Sequence, residues 1–192
     1  MWFKWQGRRN KPNHAYGGHP LMSMWAGYVL QLPYYTMHAF NSDPTYVSLF
    51  REAWLADWQY YNSTRFAGER GRYGLGAGPA PAWCSGGVGY VSDQINGGTS
   101  YCRVYSPYIV AGYLPAAPGV IAPQLAELLA DGEAVLRVPG TEYHIMWRKA
   151  MLDPVWSSWL TMVDFSSLLF GLSTLWLEED FYQNYTDHTP PT

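Results

Sequence analysis

The chain has 192 residues, a length typical of a single domain. Hydrophobic residues make up 48% and charged residues 14%, a balance that excludes an intrinsically disordered chain. Four basic residues precede the first acidic residue, Asp43. The rest of the chain therefore carries a more negative net charge than the −3 of the whole chain. Because nucleic-acid binding needs a basic patch, we predict no nucleic-acid partner.

Aromatic residues account for 17% of the chain, with 10 Trp, 16 Tyr and 7 Phe. Tryptophan and tyrosine combine a large apolar face with a polar group. This combination suits core packing, and it also suits flat, hydroxyl-rich ligands. The aromatic bias therefore points either to an aromatic core or to a sugar-binding surface.

In the first half of the chain, apolar residues recur at helical spacing. Residues 21–40 predict a helix that Pro33 ends or kinks, and polar residues interrupt this stretch too often for a membrane span. The Asn41-Ser42-Asp43-Pro44 sequence is typical of a helix start, and it predicts a second helix over 45–61. The broad apolar face of this helix carries Val47, Phe50, Trp54, Leu55 and Trp58, and its other faces carry Arg51, Glu52, Asp57 and Gln59.

Glycine and proline dominate residues 68–98, and a loop of this length inside a domain is usually either functional or disordered. Beyond it, Ser106-Pro107 predicts the start of a short helix that Pro115 ends. Further helices are predicted over 120–130 and 161–177, with a short strand over 134–138 between them. In the helix 120–130 the side chains expected to point inward are Leu125, Leu128 and Leu129.

These elements predict a mainly α fold of helical hairpins, joined by long Gly/Pro-rich loops and containing little sheet. Residues 1–15 are interpreted as a flexible basic leader, 16–188 as one helical domain and 189–192 as a tail. No apolar secretory signal is visible, so we predict a soluble protein. Cys84 and Cys102 permit either one disulfide or two free thiols, and the sequence does not choose between them.

Five segments, in this order, resemble the glucoamylase-like domain family, which includes bacterial endo-β-1,2-glucanases and the glucan-processing regions of cyclic β-1,2-glucan synthases. The similarity runs loosely from Tyr16 to His188. The segments are RYGLGAGP (72–79), GGVGY (86–90), YSPYIVAGYLPAAP (105–118), MWRKAMLDPVW (146–156) and VDFSSLLFGLSTLW (163–176).

The resemblance implies an (α/α)6 barrel, in which six inner and six outer helices surround a sugar-binding cleft. Twelve helices of average length with short loops would need roughly 190 residues. This chain spends about thirty residues on a single loop. We therefore expect a partial or reduced (α/α)6 toroid, either a smaller version or the C-terminal part of a larger barrel.

Glycoside hydrolysis generally uses two carboxyl groups, one as acid and one as base or nucleophile. The resemblance implies that Asp164 of VDFSS is the base. The family's acid stands immediately before a Gly-Pro, and here that place is held by Gly78, Pro79 and Ala80. The acid must then come from elsewhere. Asp93 is the first candidate and Glu142 the second.

Each carboxylate also has a simpler interpretation. Asp164 precedes an apolar helical run, where aspartate is a favoured N-cap. Asp93 fits a turn, and Glu142 fits a solvent-exposed charge.

A glycan site would also need aromatic stacking surfaces and hydroxyl donors. The aromatic candidates, each of which could equally pack in a core, are Trp83, Tyr90, Trp147, Trp156 and Trp159. Arg148 and Arg72 are candidate donors to sugar hydroxyls, with structural ion pairs as the alternative. The five histidines show no ligand spacing, and the glycine-rich segment lacks the lysine of a P-loop. We predict no metal and no cofactor.

The resemblance implies a glycoside hydrolase-like protein that acts on a β-linked glucan with inversion, with carbohydrate as its partner. The alternative is a non-catalytic glycan-binding or assembly module that has lost the family's acid and forms a homo-oligomer or part of a larger assembly. A helical domain without a sugar site is the third interpretation.

Overall fold

The structure, a computed structural model, is mainly helical, as predicted. It describes residues 12–16, 19–22, 26–63, 72–79, 90–92, 104–132, 135–137, 140–146, 148–150, 162–178 and 181–182. Both cysteines lie outside these residues.

Six α-helices and one 3-10 turn are described. The helices are α1 (Tyr28–Thr36), α2 (His38–Asn41), α3 (Pro44–Ser63), α4 (Pro107–Gly112), α5 (Pro118–Asp131) and α6 (Met162–Ser173). The 3-10 turn, Leu114–Ala116, joins α4 to α5.

The described strands are short and form two-stranded antiparallel ladders. They are β1 (Pro12–Tyr16), β2 (His19–Met22), β3 (Ala77–Pro79), β4 (Tyr90–Ser92), β5 (Val104–Tyr105), β6 (Val135–Arg137), β7 (His144–Met146) and β8 (Lys149–Ala150). The pairs are β1–β2, β3–β4, β5–β8 and β6–β7. The β1–β2 hairpin, which packs against α3, begins inside the segment 1–15 assigned from sequence to a leader.

Local sequence signals account for the helix ends. The Asp43 carboxylate accepts hydrogen bonds from the backbone N–H groups of Thr45 and Tyr46, at 2.7 and 3.3 Å, so it caps α3 as predicted. Gly132 ends α5 in the left-handed conformation that closes many helices. Pro33 lies inside α1 without ending it, and the chain breaks instead at Met37, whose backbone is extended.

Helices α1 and α4 run side by side in the same direction. At their starts, Gly27 lies against Ile109, and one turn later Gln31 Nε2 donates to the Ile109 carbonyl at 2.8 Å. At their ends, the Tyr35 hydroxyl donates to the Gly112 carbonyl at 2.9 Å.

Helix α6 belongs to the same parallel set and packs more extensively against α4 than against any other element. Gly171, near the end of α6, lies directly on the Ala111 carbonyl near the end of α4. The Phe170 ring stacks on Tyr35 with ring centres 5.5 Å apart. The C-terminal ends of α1, α4 and α6 therefore meet. The residues that follow α4 and those that follow α6 line one pocket beyond this meeting point, so the two helices run in the same direction and begin on the opposite side of the bundle.

Helix α3 runs antiparallel to α1, α4 and α6. Phe50, early in α3, packs edge-on against Tyr113 just beyond α4, with ring centres 5.2 Å apart. Asp57, two turns later, bonds to Leu75, and Leu75 in turn bonds to Gly27 at the start of α1. Helix α5 follows α4 through the 3-10 turn and reverses direction, because Gln124 in the middle of α5 contacts Tyr73 beside the start of α4. The helices α1, α3, α4, α5 and α6 thus alternate in direction.

The core is built largely from tyrosine, and many of the buried hydroxyls bond to backbone carbonyls. The Tyr46 hydroxyl donates to the Leu30 carbonyl at 2.7 Å, and the Tyr61 hydroxyl to the Val104 carbonyl at 2.6 Å. These bonds let an aromatic ring fill apolar space without leaving its polar end unsatisfied.

Phe50 and Trp54 of α3 are buried as predicted, but Val47 on the same predicted face is 38% exposed, and Asp57, assigned to a polar face, is 1% exposed. Leu125 and Leu128 of α5 are buried as predicted, but Leu129 is 52% exposed. It lies one residue beyond the buried stripe, on the side of α5 that faces away from the core. Among the described residues, no helix is long and apolar enough to cross a membrane.

The contact between α4 and α6 gives a first prediction. A Cβ at Gly171 would overlap the Ala111 carbonyl, which is backbone and cannot move aside cheaply. We expect Gly171→Ala to lower the free energy of unfolding by about 1–3 kcal/mol, as measured by urea denaturation. Gly119→Ala in α5 is the matched control because nothing lies within 4 Å of its Cβ position. The same substitution there should be neutral or slightly stabilising, and equal effects at both sites would contradict the close contact.

The buried tyrosines give a second prediction. Burial raises the pKa of Tyr35, Tyr46, Tyr73 and Tyr113 above the ordinary tyrosine value. In the unfolded chain these groups lose protons near pH 10, whereas in the folded chain they stay protonated. The contribution of these tyrosines to the free energy of unfolding should therefore be constant below about pH 10 and decrease as the pH rises further. Tyrosinate absorbance should show these four groups ionising only as the chain unfolds, and pH-independent stability above this value would contradict the burial.

Candidate functional site

The glycine-rich segment 72–79 crosses the bundle at the N-terminal ends of the parallel helices, and residues 73–78 are buried. The Leu75 carbonyl accepts the N–H of Gly27, the N-cap of α1, at 2.7 Å, and the Tyr73 carbonyl accepts that of Ser106, the N-cap of α4, at 3.1 Å. Two of the unpaired N–H groups that every helix start presents are thereby satisfied. The segment joins the starts of two helices.

Side chains from other helices hold the same segment. The Tyr73 hydroxyl accepts a hydrogen bond from Trp54 Nε1 of α3 at 2.9 Å and donates to Gln124 Oε1 of α5 at 3.1 Å. The Tyr108 hydroxyl of α4 donates to the Ala77 carbonyl at 3.3 Å. Three helices therefore fix the segment along its length.

Asp57 of α3 supplies a carboxylate to this segment. Its Oδ2 accepts the Leu75 N–H at 2.9 Å and its Oδ1 accepts the Gly74 N–H at 3.3 Å. The residue is only 1% exposed. Charge buried to this degree requires hydrogen-bond partners, and the two backbone N–H groups provide them.

Gly74 explains why the segment is rich in glycine. Its φ of +114° lies in a region that side chains disfavour, and a Cβ there would overlap the Ser106 carbonyl oxygen. The helix start and the segment can touch only because no side chain separates them.

Arg148 joins the segment from a third region of the chain. The residue is 3% exposed, and its guanidinium donates to Ser106 Oγ at 3.3 Å. The Cβ position of Gly78 is 3.1 Å from Arg148 Cδ and 3.5 Å from its Nε. Segments 72–79, 105–118 and 146–156, which carry the family resemblance, therefore meet at Ser106, Gly78 and Arg148.

Asp164 is the third residue of α6, which begins at Met162. It therefore lies within the first helical turn, two residues beyond the first helical position, instead of preceding the helix as an N-cap would. Since α6 is parallel to α1 and α4, Asp164 occupies the same end of the bundle as Gly27 and Ser106. Met162 is 74% exposed, so this helix start lies at the surface.

The remaining candidates are distributed differently. Tyr90 begins β4 and pairs in register with Pro79 of the glycine-rich segment. Arg72 is half-buried at the start of that segment, whereas Glu142 is exposed in the turn between β6 and β7. The other predicted site residues lie outside the described parts of the chain: Asp93, Trp83, Trp147, Trp156 and Trp159.

A pocket of about 320 Å³ lies at the opposite end of the bundle, where the parallel helices finish. Its walls include Tyr34, Leu114, Thr174 and Tyr182. The Thr174 hydroxyl is already bonded to the Gly171 carbonyl at 2.7 Å, and that of Tyr182 to Ser173. Both hydroxyls are therefore bonded to residues at the end of α6, and the described residues that line the pocket include none of the predicted site residues.

Asp57 and Ser106 were not identified from the sequence as site residues. A signal for Asp57 exists, because it lies three and four residues from buried Trp54 and Ala53 on one side and from buried Tyr60 and Tyr61 on the other. An acidic residue at helical spacing among buried aromatics requires a partner, and that requirement indicates a polar contact inside the core.

Within the described ranges, no group of three or more His, Cys, Asp and Glu residues is arranged to hold a metal ion.

Comparison of the chain with protein-family models, with curated proteins and with solved structures gives no match.

Two glycines with positive φ provide a test of the site's packing. Gly74→Ala should lower the free energy of unfolding by at least about 2 kcal/mol, because backbone strain and the overlap with Ser106 act together. Gly140 also has a positive φ, +78°, but nothing lies within 4 Å of its Cβ position. Gly140→Ala should therefore lower the free energy of unfolding by only about 1 kcal/mol. Chemical denaturation of both variants measures the difference, and equal losses would contradict the contact at Ser106.

Proposed function

We propose that this chain is a glycoside hydrolase-like protein that acts on a β-linked glucan, as its resemblance to the glucoamylase-like domain family implies. The observation that carries the proposal is the meeting of segments 72–79, 105–118 and 146–156 at one end of the bundle. These segments are far apart in the chain. Their convergence at the end where Asp164 begins α6 favours a common site over unrelated local packing.

The arrangement of helices supports a reduced (α/α) barrel as the fold of this protein. Where inner and outer helices alternate as antiparallel hairpins, all inner helices run in one direction. Helices α1, α4 and α6 would then be inner helices, and α3 and α5 outer ones. The proposed sugar cleft lies at the N-terminal ends of the inner helices.

Asp164 is proposed as the general base. A helix N-terminus favours negative charge, so a position in the first turn of α6 favours the ionised carboxylate that a base requires. In an inverting reaction the base activates a water molecule on the opposite face of the sugar from the acid, and the two carboxyl groups stand about 6.5–9.5 Å apart.

No acidic residue stands at Gly78, Pro79 or Ala80, where the resemblance places the family's acid, so the acid is proposed to come from another position. Asp93 remains the preferred acid because it directly follows β4, which is paired with β3. Glu142, exposed in its turn, is the second choice.

Incubation with β-1,2-glucan tests the proposal. The unsubstituted protein should release reducing ends, and NMR should show the new ends first as the α-anomer, which identifies inversion. Asp164→Asn should reduce the rate by at least about 100-fold, because the loss of a general base costs that much, while glycan binding persists. Asp131→Asn, an exposed carboxylate at the end of α5, is the control and should retain full activity.

The alternative, a non-catalytic glycan-binding or assembly module, is favoured by one observation. Helix α6 and the turn after it expose large apolar side chains, with Met162 74%, Leu169 51% and Trp176 76% exposed. Exposed apolar groups on one element are typical of a surface that meets a partner. Binding of β-1,2-glucan without hydrolysis, together with a mass above that of one chain in light scattering, would favour this module. If the protein neither binds nor hydrolyses β-1,2-glucan, a glucan function is excluded.

A further inference from the structure

Asp57 stands out among the buried polar groups because it is a charged side chain that bonds to the backbone of another segment. Both of its oxygens accept N–H groups of the glycine-rich segment, from Gly74 and Leu75. A carboxylate removed from water in this way is costly unless it is bonded. The bonds to segment 72–79 thus stabilise both partners.

We infer that Asp57 is a positioning residue for the proposed glycan site, an inference that rests on the proposed function. Its carboxylate fixes the backbone of Gly74 and Leu75, and through that backbone it sets the position of β3 and of the strand paired with it.

The connection to the candidate site is short. β3 begins two residues after Leu75, and its first residue, Ala77, pairs in register with Ser92. Ser92 is followed immediately by Asp93, the preferred acid, and Tyr90 begins the same strand. A shift of residues 74–75 would therefore move β3 and, through the β3–β4 ladder, the strand that Asp93 directly follows in the chain.

The chemistry requires a carboxylate at this position. Two N–H groups approach two different oxygens of Asp57, and a carboxylate only accepts. An asparagine keeps one oxygen but turns an NH₂ group toward the other N–H, so one hydrogen bond is lost and two donors face each other. Asp57→Asn thus changes the hydrogen bonding of the segment while it preserves the size of the side chain.

Amide hydrogen exchange followed by NMR tests the anchoring without any ligand. In Asp57→Asn, exchange at Gly74, Leu75 and the β4 amides should accelerate about tenfold or more relative to the rest of the core. Leu128→Ala, which opens a cavity in the buried face of α5, is the matched control. It should destabilise the protein without singling out these amides. An Asp57→Asn protein that keeps their protection would overturn the inference.

The unsubstituted protein provides a second measurement should Asp57→Asn not fold. The Leu75 N–H is buried and bonded to a carboxylate, so it should be among the slowly exchanging amides. Slow exchange supports the anchoring, and exchange at the rate of an unstructured peptide overturns it.

Kinetics on β-1,2-glucan separate positioning from simple stabilisation. Asp57→Asn should lower kcat by roughly tenfold to 100-fold, with KM within about twofold, because the displaced group acts on the reaction step more than on ground-state binding. Leu128→Ala should change neither constant at a temperature where it is folded. An unchanged kcat in folded Asp57→Asn overturns the inference. An unsubstituted protein without activity would refute hydrolysis instead, and hydrogen exchange alone would then decide whether Asp57 anchors the segment.

Discussion

A peptide segment that runs through the interior of a protein has to find a partner for each of its N–H and C=O groups, and this requirement shapes the bundle. Residues 73–78 run buried across the helix starts outside any helix, so their neighbours supply the bonds. Asp57 accepts from two N–H groups, and the starts of α1 and α4 donate to two carbonyls. The positions of three helices are therefore tied to one extended segment.

The same requirement links local sequence to the candidate site. Glycine at position 74 permits close approach to Ser106, and glycine at 78 leaves room for the Arg148 side chain. A segment with side chains at these places would stand away from the helix starts and would lose bonds to them. Gly74 and Gly78 lie in a glycine-rich stretch that the sequence predicts to be a loop. In the structure they allow this loop to pack tightly against its neighbours.

Much of the helical framework is predictable from the sequence because its signals are local. The Asp43 cap and the Ser106-Pro107 start depend on neighbours within a few residues, and both are confirmed. The burial of Asp57 and Arg148 depends on contacts 17 and 42 residues away in the chain. Helical spacing places Asp57 among buried aromatics, but it does not identify the partner of the carboxylate, and Asp57 was assigned to the polar side of its helix. The resemblance supplied the order of the segments that meet at Ser106, Gly78 and Arg148, but it did not supply the contacts between them.

The high tyrosine content of the chain has an explanation that requires no ligand. A large share of tyrosine is expected both of a sugar-binding cleft and of a core whose polar groups are bonded internally. In the described part of the chain, the hydroxyls of Tyr35, Tyr46 and Tyr61 bond to backbone carbonyls of other elements, so these rings connect helices and strands. This use accounts for these three tyrosines without any ligand. The support for a glucan function therefore comes from the convergence of segments at Ser106, Gly78 and Arg148, and composition adds little to it.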